Sequence, residues 1–254
     1  MQFLKSLEVK VRRFRDKLSP LLYRGTQFHC PVCKRSFRKF RSAGRGERKR
    51  LNAVCPYCIS RERDRLVFSF LEKEKSKFFN ESTRLLHIAP EPCLEPSFRN
   101  WAGGLYLTAD LIRKDVMEQF DVMSIPYPDG SFEAVFCSHV LQDVPDDVQA
   151  MKEFFRVLTP GGWAILNVPV VATLSSDHND QPRNVRSQTD NRPDEHLRSY
   201  GDDYPERMQE VGFEVKTITG SDLFDDQSLQ RMAMDRIETG SIYLGIKPRV
   251  NSDG

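Results

Sequence analysis

Residues 120–170, FDVMSIPYPDGSFEAVFCSHVLQDVPDDVQAMKEFFRVLTPGGWAILNVPV, decide the fold. Two nearly continuous apolar runs lie in this stretch, at 132–137 and 163–168, as expected of strands that are covered by helices on both faces. Between them, apolar residues recur at helical spacing at Val148, Met151, Phe154, Phe155 and Leu158. The pattern predicts a strand, an amphipathic helix that Pro160-Gly161-Gly162 ends, and a second strand. This is an αβ unit of a parallel sheet.

Further strands are predicted on both sides of this unit. Residues 84–89, RLLHIA, form an apolar run that Pro90 stops, and residues 105–109 form a second run. Two more runs, at 213–217 and 241–246, follow the unit and supply closing strands. The order of elements predicts an α/β fold with a doubly wound, Rossmann-like sheet.

The same stretch carries a resemblance to a known family. Asp121, the string IPYPDGSFE at 125–133, SHVL at 138–141 and FRVLTPGG at 155–162 resemble the central block of class I S-adenosylmethionine-dependent methyltransferases of the type 11 group. The resemblance implies a seven-stranded methyltransferase sheet with an antiparallel finish. It also implies that Asp121 reaches the adenine amino group, and that the loop 138–143 after the fourth strand faces the methyl donor.

The turn after the first strand departs from the family. It is Ala89-Pro90-Glu91-Pro92-Cys93, without the expected glycines, and His87 stands where the family often has Asp. Two interpretations compete: the turn binds the donor in a modified way, with Glu91 accepting from the donor's amino group, or the site has lost the donor. We favour the first, because the chain resembles a bacterial methyltransferase subgroup with a similar H-x-A-P-E turn behind a two-knuckle zinc ribbon.

Asp110 is the strongest candidate for a contact with the methyl donor. It ends the second predicted strand nineteen residues after Glu91, close to the separation at which a dinucleotide fold places a carboxylate on ribose hydroxyls. The alternative is an N-cap for a helix at 112–117, which is compatible with the same role. The full set of residues predicted to bind S-adenosylmethionine is His87, Ala89, Glu91, Asp110, Leu111, Asp121, Val122 and Ser138.

Four cysteines form two C-x-x-C knuckles, at Cys30 and Cys33 and at Cys55 and Cys58. Two such knuckles can surround one zinc ion with four thiolates, and a closed site of this kind is structural. The alternative is reduced cysteines without metal. His29 is expected to be a neighbour of this site and not a ligand.

The basic charge is concentrated near the start of the chain. Residues 1–65 carry 19 Lys and Arg against 5 Asp and Glu, whereas the remainder carries 19 against 31. Within this part, residues 34–50 hold nine basic residues and two phenylalanines. Basic residues with aromatics can hold phosphates and stack bases, so RNA is a candidate partner. A solvated hairpin is the alternative.

Residues 3–18 form a basic amphipathic pattern. Such a helix packs against the body of the protein or lies on an anionic membrane or a nucleic acid. The stretch has neither an apolar core segment nor a cleavage site, so it is not a secretory signal. No run of eighteen apolar residues exists, and we expect a cytoplasmic protein.

A polar stretch at 173–196 has almost no apolar residues. It follows the strand at 163–168, where open α/β sheets bind ligands, and we predict a lid; disorder is the alternative. It leads to His196, Arg198 and Tyr200, which are candidate substrate contacts or parts of a structural turn.

These patterns predict five segments along the chain. They are a basic N-terminal helix (1–24), a zinc ribbon (25–62), a connecting helix (63–82, within a helical pattern at about 60–79), a methyltransferase domain (83–248) and a disordered tail (249–254).

Methyl transfer to an oxygen or nitrogen atom that carries a proton also needs a base. His139 is the first candidate, since it lies in the loop after the fourth strand and titrates near neutrality; a packed loop histidine is the alternative. Asp143 and His196 are weaker candidates. Three hypotheses remain open: a methyltransferase for a small molecule, sugar or glycan precursor; an RNA methyltransferase that uses the ribbon and residues 34–50; and a catalytically silent binding module.

Overall fold

The computed structural model describes residues 22–44, 46, 49–177 and 196–249. The predicted helix at 3–18, residues 178–195 of the predicted lid and residues 250–254 of the predicted tail lie outside the described residues. Within the described part, no helix has the length and apolarity that crossing a membrane requires.

Fourteen strands and six α-helices are found in the described residues. The strands are β1 (Arg24–Cys30), β2 (Arg35–Phe37), β3 (Arg41–Ala43), β4 (Arg50–Val54), β5 (Leu85–Ile88), β6 (Tyr106–Asp110), β7 (Glu118–Gln119), β8 (Phe132–Ser138), β9 (Leu158–Asn167), β10 (Val170–Ala172), β11 (Ser176–Asp177), β12 (Arg198–Gly201), β13 (Glu214–Ile218) and β14 (Ile242–Ile246). The helices are α1 (Glu62–Lys73), α2 (Lys75–Phe78), α3 (Glu95–Trp101), α4 (Asp147–Val157), α5 (Tyr204–Glu210) and α6 (Asp226–Arg231).

The chain divides into two compact units. The first unit contains the described residues up to Lys75 together with Thr219–Thr239, and the second contains Ser76–Ile218 and the described residues from Gly240 onward. The segment 219–239 therefore groups with the N-terminal residues, although the predicted boundaries place it within 83–248. The helical pattern at 60–79 forms two helices, α1 and α2, with Glu74 as the C-cap residue of the first.

The first unit is built from two antiparallel hairpins, β1–β2 and β3–β4, and the helices α1 and α6. Arg65 of α1 connects these parts. Its side chain is 0% exposed, and its guanidinium donates to the carbonyls of Ala53 and Ser60, at 3.1 and 2.9 Å, and of Met232 and Ala233, at 2.7 and 2.8 Å. A buried guanidinium needs such acceptors, because burial without them is costly.

The second unit is built on a seven-stranded mixed sheet with the order β13-β14-β9-β8-β5-β6-β7. The five strands from β9 to β7 pair in parallel, and β14 runs antiparallel to both β9 and β13. The predicted Rossmann-like methyltransferase sheet with an antiparallel finish is therefore confirmed. Because the chain runs outward from β5 to β7 and then returns to β8, the sheet has a switch point between β5 and β8, the usual place for a ligand in such folds.

The αβ unit at the centre forms largely as predicted, with one correction. Asp146 caps α4 by accepting from the Gln149 amide at 2.8 Å. The helix ends at Val157 with the extended residue Leu158 as its cap, so Pro160-Gly161-Gly162 does not end it. These three residues instead lie inside β9, where its pairing with β8 is irregular. Gly161 takes φ +82°, and a Cβ on Gly162 would lie 2.8 Å from the Thr159 carbonyl oxygen, so both glycines are required there.

Candidate functional site

The carboxyl ends of β5, β6, β7 and β8 meet at one edge of the large sheet, which we call the carboxyl edge. Ile88, the last residue of β5, pairs with Ala109 on one side and Cys137 on the other. Three residues therefore lie side by side at the ends of neighbouring strands: Ser138 of β8, Ala89 directly after β5, and Asp110 of β6. This edge holds the residues predicted to bind the methyl donor.

Ala89 takes a conformation that normally belongs to glycine. Its φ is +47°, which lies in the left-handed region that costs a residue with a Cβ roughly 1–2 kcal/mol. Its amide donates to the Ala109 carbonyl at 2.8 Å, so the chain turns directly at the end of β5. The turn thus has a glycine-like backbone without a glycine.

His87 lies in the interior beneath this turn. Its side chain is 0% exposed, and its Nε2 and Nδ1 lie 2.8 Å from Glu91 Oε2 and from the Tyr106 hydroxyl. Because a carboxylate accepts, we assign the ring proton to Nε2, and Nδ1 then accepts from Tyr106. Burial raises the pKa of Tyr106, so its hydroxyl keeps the proton that it donates. His87 therefore holds the Glu91 side chain in place through a hydrogen bond to Oε2.

Asp110 is fixed by the backbone that follows it. Its Oδ1 accepts from the amides of Ile112 and Arg113 at 2.8 and 2.9 Å, and within the described residues Oδ2 takes no hydrogen bond. No helix forms at 112–117, so the N-cap alternative is wrong, and the same hydrogen bonds close a turn. Arg113 also donates to the Pro90 carbonyl at 2.7 Å, which ties this turn to the one after β5.

The remaining predicted contacts differ in their exposure. Asp121 lies two residues beyond β7, and its Oδ1 accepts from the Met123 amide at 2.9 Å. Val122 is buried in the core cluster, whereas Leu111 is 61% exposed. Of these three residues, Asp121 and Leu111 are the ones with side chains accessible to a ligand.

The loop after β8 carries two of the three catalytic candidates, His139 and Asp143, and the third, His196, precedes β12. His139 has φ +55°, and its amide donates to the Asn167 carbonyl at 2.7 Å. Gln142 is buried and donates to the His139 carbonyl at 2.6 Å. Asp143 Oδ1 lies 2.8 Å from His196 Nδ1, so the structure brings two of the predicted residues together as a histidine–carboxylate pair.

Arg198 and Tyr200, the other candidate substrate contacts, are buried. The Tyr200 hydroxyl donates to Asp147 at 2.8 Å, and Arg198 lies 3.1 Å from the same carboxylate. Burial alone would raise the pKa of Asp147, but hydrogen bonds from Arg207 and Tyr200 and the charge of Arg198 outweigh it and lower the pKa. These contacts favour the structural interpretation of Arg198 and Tyr200.

In the first unit, the sulfur atoms of Cys30, Cys33, Cys55 and Cys58 lie within 4.8 Å of one another. The Cys30–Cys58 and Cys33–Cys55 sulfur distances are 3.6 and 3.7 Å. A tetrahedral zinc ion with Zn–S bonds of about 2.3 Å separates its sulfurs by about 3.8 Å. The arrangement therefore fits zinc.

The two knuckles share a backbone feature that the sequence pattern did not reveal. The residue after the second cysteine of each, Lys34 in one and Ile59 in the other, is left-handed, with φ 58° and 60°. Each C-x-x-C knuckle is thus followed directly by a left-handed residue. His29 is outside the cluster, as predicted, with Nδ1 3.2 Å from the Ser36 hydroxyl.

The basic run 34–50, of which residues 45, 47 and 48 are outside the described part, lacks an aromatic platform. Its two phenylalanines, Phe37 and Phe40, are each 2% exposed and belong to the core of the first unit. They cannot stack on bases, so the aromatic part of the RNA-binding hypothesis is wrong.

Comparison with known proteins relates the chain to methyltransferases. Residues 100–166 match the family model of a methyltransferase domain. The demethylmenaquinone methyltransferase of Deinococcus radiodurans is 45% identical over 49 residues, which are 19% of this chain and 20% of that protein. The 27-O-demethylrifamycin SV methyltransferase of Amycolatopsis mediterranei is 38% identical over 73 residues, 27% of each chain. The chain thus spans at most about a quarter of the length of these two relatives.

A solved structure of a SAM-dependent methyltransferase from Archaeoglobus fulgidus superimposes with a TM-score of 0.47 at 12% identity. The alignment covers 71% of this chain and 93% of that one.

Proposed function

We propose that the chain transfers a methyl group from S-adenosylmethionine, held along the carboxyl edge, to a small molecule or a sugar or glycan precursor. One observation carries this proposal. The carboxylates of Glu91, Asp110 and Asp121 lie at the carboxyl ends of three adjacent strands, and each is fixed by at least one hydrogen bond. A row of oriented acceptors suits a ligand that presents hydrogen-bond donors along its length.

The chemistry of the ligand matches this row. S-adenosylmethionine presents an ammonium group, two ribose hydroxyls and an adenine amino group, all of which can donate. Glu91 would accept from the ammonium, Asp110 from the ribose and Asp121 from the adenine. The glycine-like backbone at Ala89 supports the interpretation that the modified turn binds the donor, against the silent binding module.

When bound, S-adenosylmethionine supplies an electrophilic methyl group on a sulfonium. Most of the catalysis then comes from holding the acceptor in line with that group. The proton that the acceptor atom loses needs a base, and the histidine–carboxylate pair supports His196 for this role. Asp143 Oδ1 lies 2.8 Å from Nδ1 of His196, and this carboxylate would stabilise the imidazolium that forms when the ring takes the proton.

The names of the relatives support a small acceptor. Those proteins are named for demethylmenaquinone and 27-O-demethylrifamycin SV, which are small molecules. Among the described residues of the basic run, Phe37 and Phe40 are buried, which removes the aromatic support for RNA.

We also propose that the four cysteines hold one structural zinc ion. The sulfur distances, the matched knuckles and the position of the cluster in the core of the first unit support this. The Ser60 hydroxyl lies 3.3 and 3.2 Å from the sulfurs of Cys30 and Cys58 and would support the ligands from outside.

Replacing Asp110 with Ala should weaken binding of S-adenosylhomocysteine about ten- to a hundredfold, since a hydrogen bond to a charged group contributes roughly 1.5–3 kcal/mol. Calorimetric titration measures this. The matched control is Asp115→Ala, because that carboxylate is 73% exposed and pairs with Arg113 alone among the described residues. Absence of binding by the wild type, or equal binding by Asp110→Ala, would refute the proposed site.

Replacing His196 with Gln should lower kcat about a hundredfold or more and leave the affinity for S-adenosylhomocysteine unchanged. Asp143→Asn should act in the same direction, because the amide does not stabilise the imidazolium. Turnover is followed with the acceptor that a screen of quinones, polyketides and sugars identifies. His139→Gln is the comparison, and a larger loss in that variant than in His196→Gln would return the role of base to His139.

The purified protein should contain one zinc ion per chain, and Cys55→Ser should lose it and unfold the first unit, because a closed four-sulfur site contributes its binding energy to folding. Elemental analysis and circular dichroism measure both effects. Cys93→Ser, which changes a cysteine outside the cluster, should keep the zinc. Retention of zinc by Cys55→Ser would contradict the assignment.

A further inference from the structure

Residues with left-handed backbone are gathered at three places in the described part of the chain. Six residues other than glycine have positive φ: Lys34, Ile59, Ala89, His139, Asn52 and Ala233. The first two belong to the cysteine knuckles and the next two to the carboxyl edge. The last two line one cavity of the first unit. Such conformations cost free energy and are enriched at functional sites, and the cavity shares this feature with the other two places.

The cavity has a volume of about 690 Å³. Its walls are β1, Asn52 of β4 and the segment 227–236, all of which belong to the first unit. Small-molecule sites commonly have volumes of roughly 300–1,000 Å³. The cavity therefore has the volume of a ligand site and is open to solvent, since most of its lining side chains are exposed.

Planar polar side chains dominate the lining. Four are amides, one is a carboxylate and two are guanidiniums: Gln27, Asn52, Gln227, Gln230, Asp235, Arg231 and Arg236. Asn52 Oδ1 accepts from the Phe40 amide at 3.0 Å. Of the other six side chains, five are exposed and that of Arg236 is half-buried. None makes a hydrogen bond within the described residues, so their polar groups face solvent and are accessible to a ligand. Phe28, which is half-buried, adds one apolar surface.

This combination indicates the class of ligand. An amide both donates and accepts, a guanidinium donates two parallel hydrogen bonds, and a carboxylate accepts. Neighbouring hydroxyls of a sugar also both donate and accept, and the C–H face of a sugar can lie on Phe28. Nucleic acid fits less well, because base recognition uses aromatic stacking, Phe28 is the one aromatic residue of the lining, and Asp235 opposes phosphate.

We propose that this cavity binds a carbohydrate. This inference goes beyond the proposed function and does not depend on it. Sugar binding itself needs neither the methyl donor nor the carboxyl edge, so the two can be tested separately.

Saturation-transfer NMR on the full, zinc-loaded chain tests the proposal with the methyl glycosides of glucose, mannose, rhamnose, N-acetylglucosamine and glucuronic acid as probes. We expect at least one glycoside to give transfer signals that fall at least fivefold in both Gln230→Ala and Arg231→Ala. Both residues are exposed, so their replacement leaves the core intact. Gln209→Ala, an exposed glutamine on α5 of the second unit, is the matched control and should keep the signals.

Three results would overturn the proposal: no glycoside gives a signal, the signals persist in both cavity variants, or the control loses them equally. A fluorescent single-stranded RNA is titrated in parallel, and RNA binding that both cavity variants abolish would assign the cavity to nucleic acid instead. S-adenosylhomocysteine is titrated into the same samples. Its binding without any sugar binding would refute this proposal alone, and the reverse would refute the proposed donor site alone.

Discussion

The hydrogen bond from the Ala89 amide to the Ala109 carbonyl, 2.8 Å long, is the contact on which the carboxyl edge depends. It extends the pairing of β5 with β6 by one residue, and the chain turns there, with Ala89 left-handed. The turn places Glu91 above His87, and Arg113 holds the Pro90 carbonyl. This bond and the Arg113 contact join the two turns that carry Glu91 and Asp110, two of the three carboxylates on which the proposed donor site rests.

Much of the second unit could be predicted because its signals are local. Buried parallel strands are continuous apolar runs, and the runs at 84–89, 105–109, 132–137 and 163–168 all became strands of one sheet. The carboxylate of Asp110 could be placed at the end of a strand by the same means. Pro160-Gly161-Gly162 was misassigned because the same residues favour a helix stop and a strand irregularity, and only the pairing of β8 with β9 distinguishes them.

The features that could not be predicted depend on contacts between distant residues. Ala89 has no local preference for the left-handed region, so the absence of glycine left open whether the turn binds the donor in a modified way or has lost it. Tyr106 looks like any strand residue until the sheet places its hydroxyl against His87. Arg65 is one of many basic residues in its segment, yet it is fully buried and binds carbonyls of residues more than 160 positions away.

The measurement that tests the central claim most directly is a calorimetric titration of Ala89→Gly and Ala89→Val with S-adenosylhomocysteine. If the left-handed turn forms the donor site, glycine adopts it without cost and should bind at least as tightly as the wild type. Valine, whose branched Cβ makes that conformation a strong outlier, should bind at least about tenfold more weakly, a loss of about 1.4 kcal/mol. Equal affinity in the valine variant, or weaker binding in the glycine variant, would contradict the account.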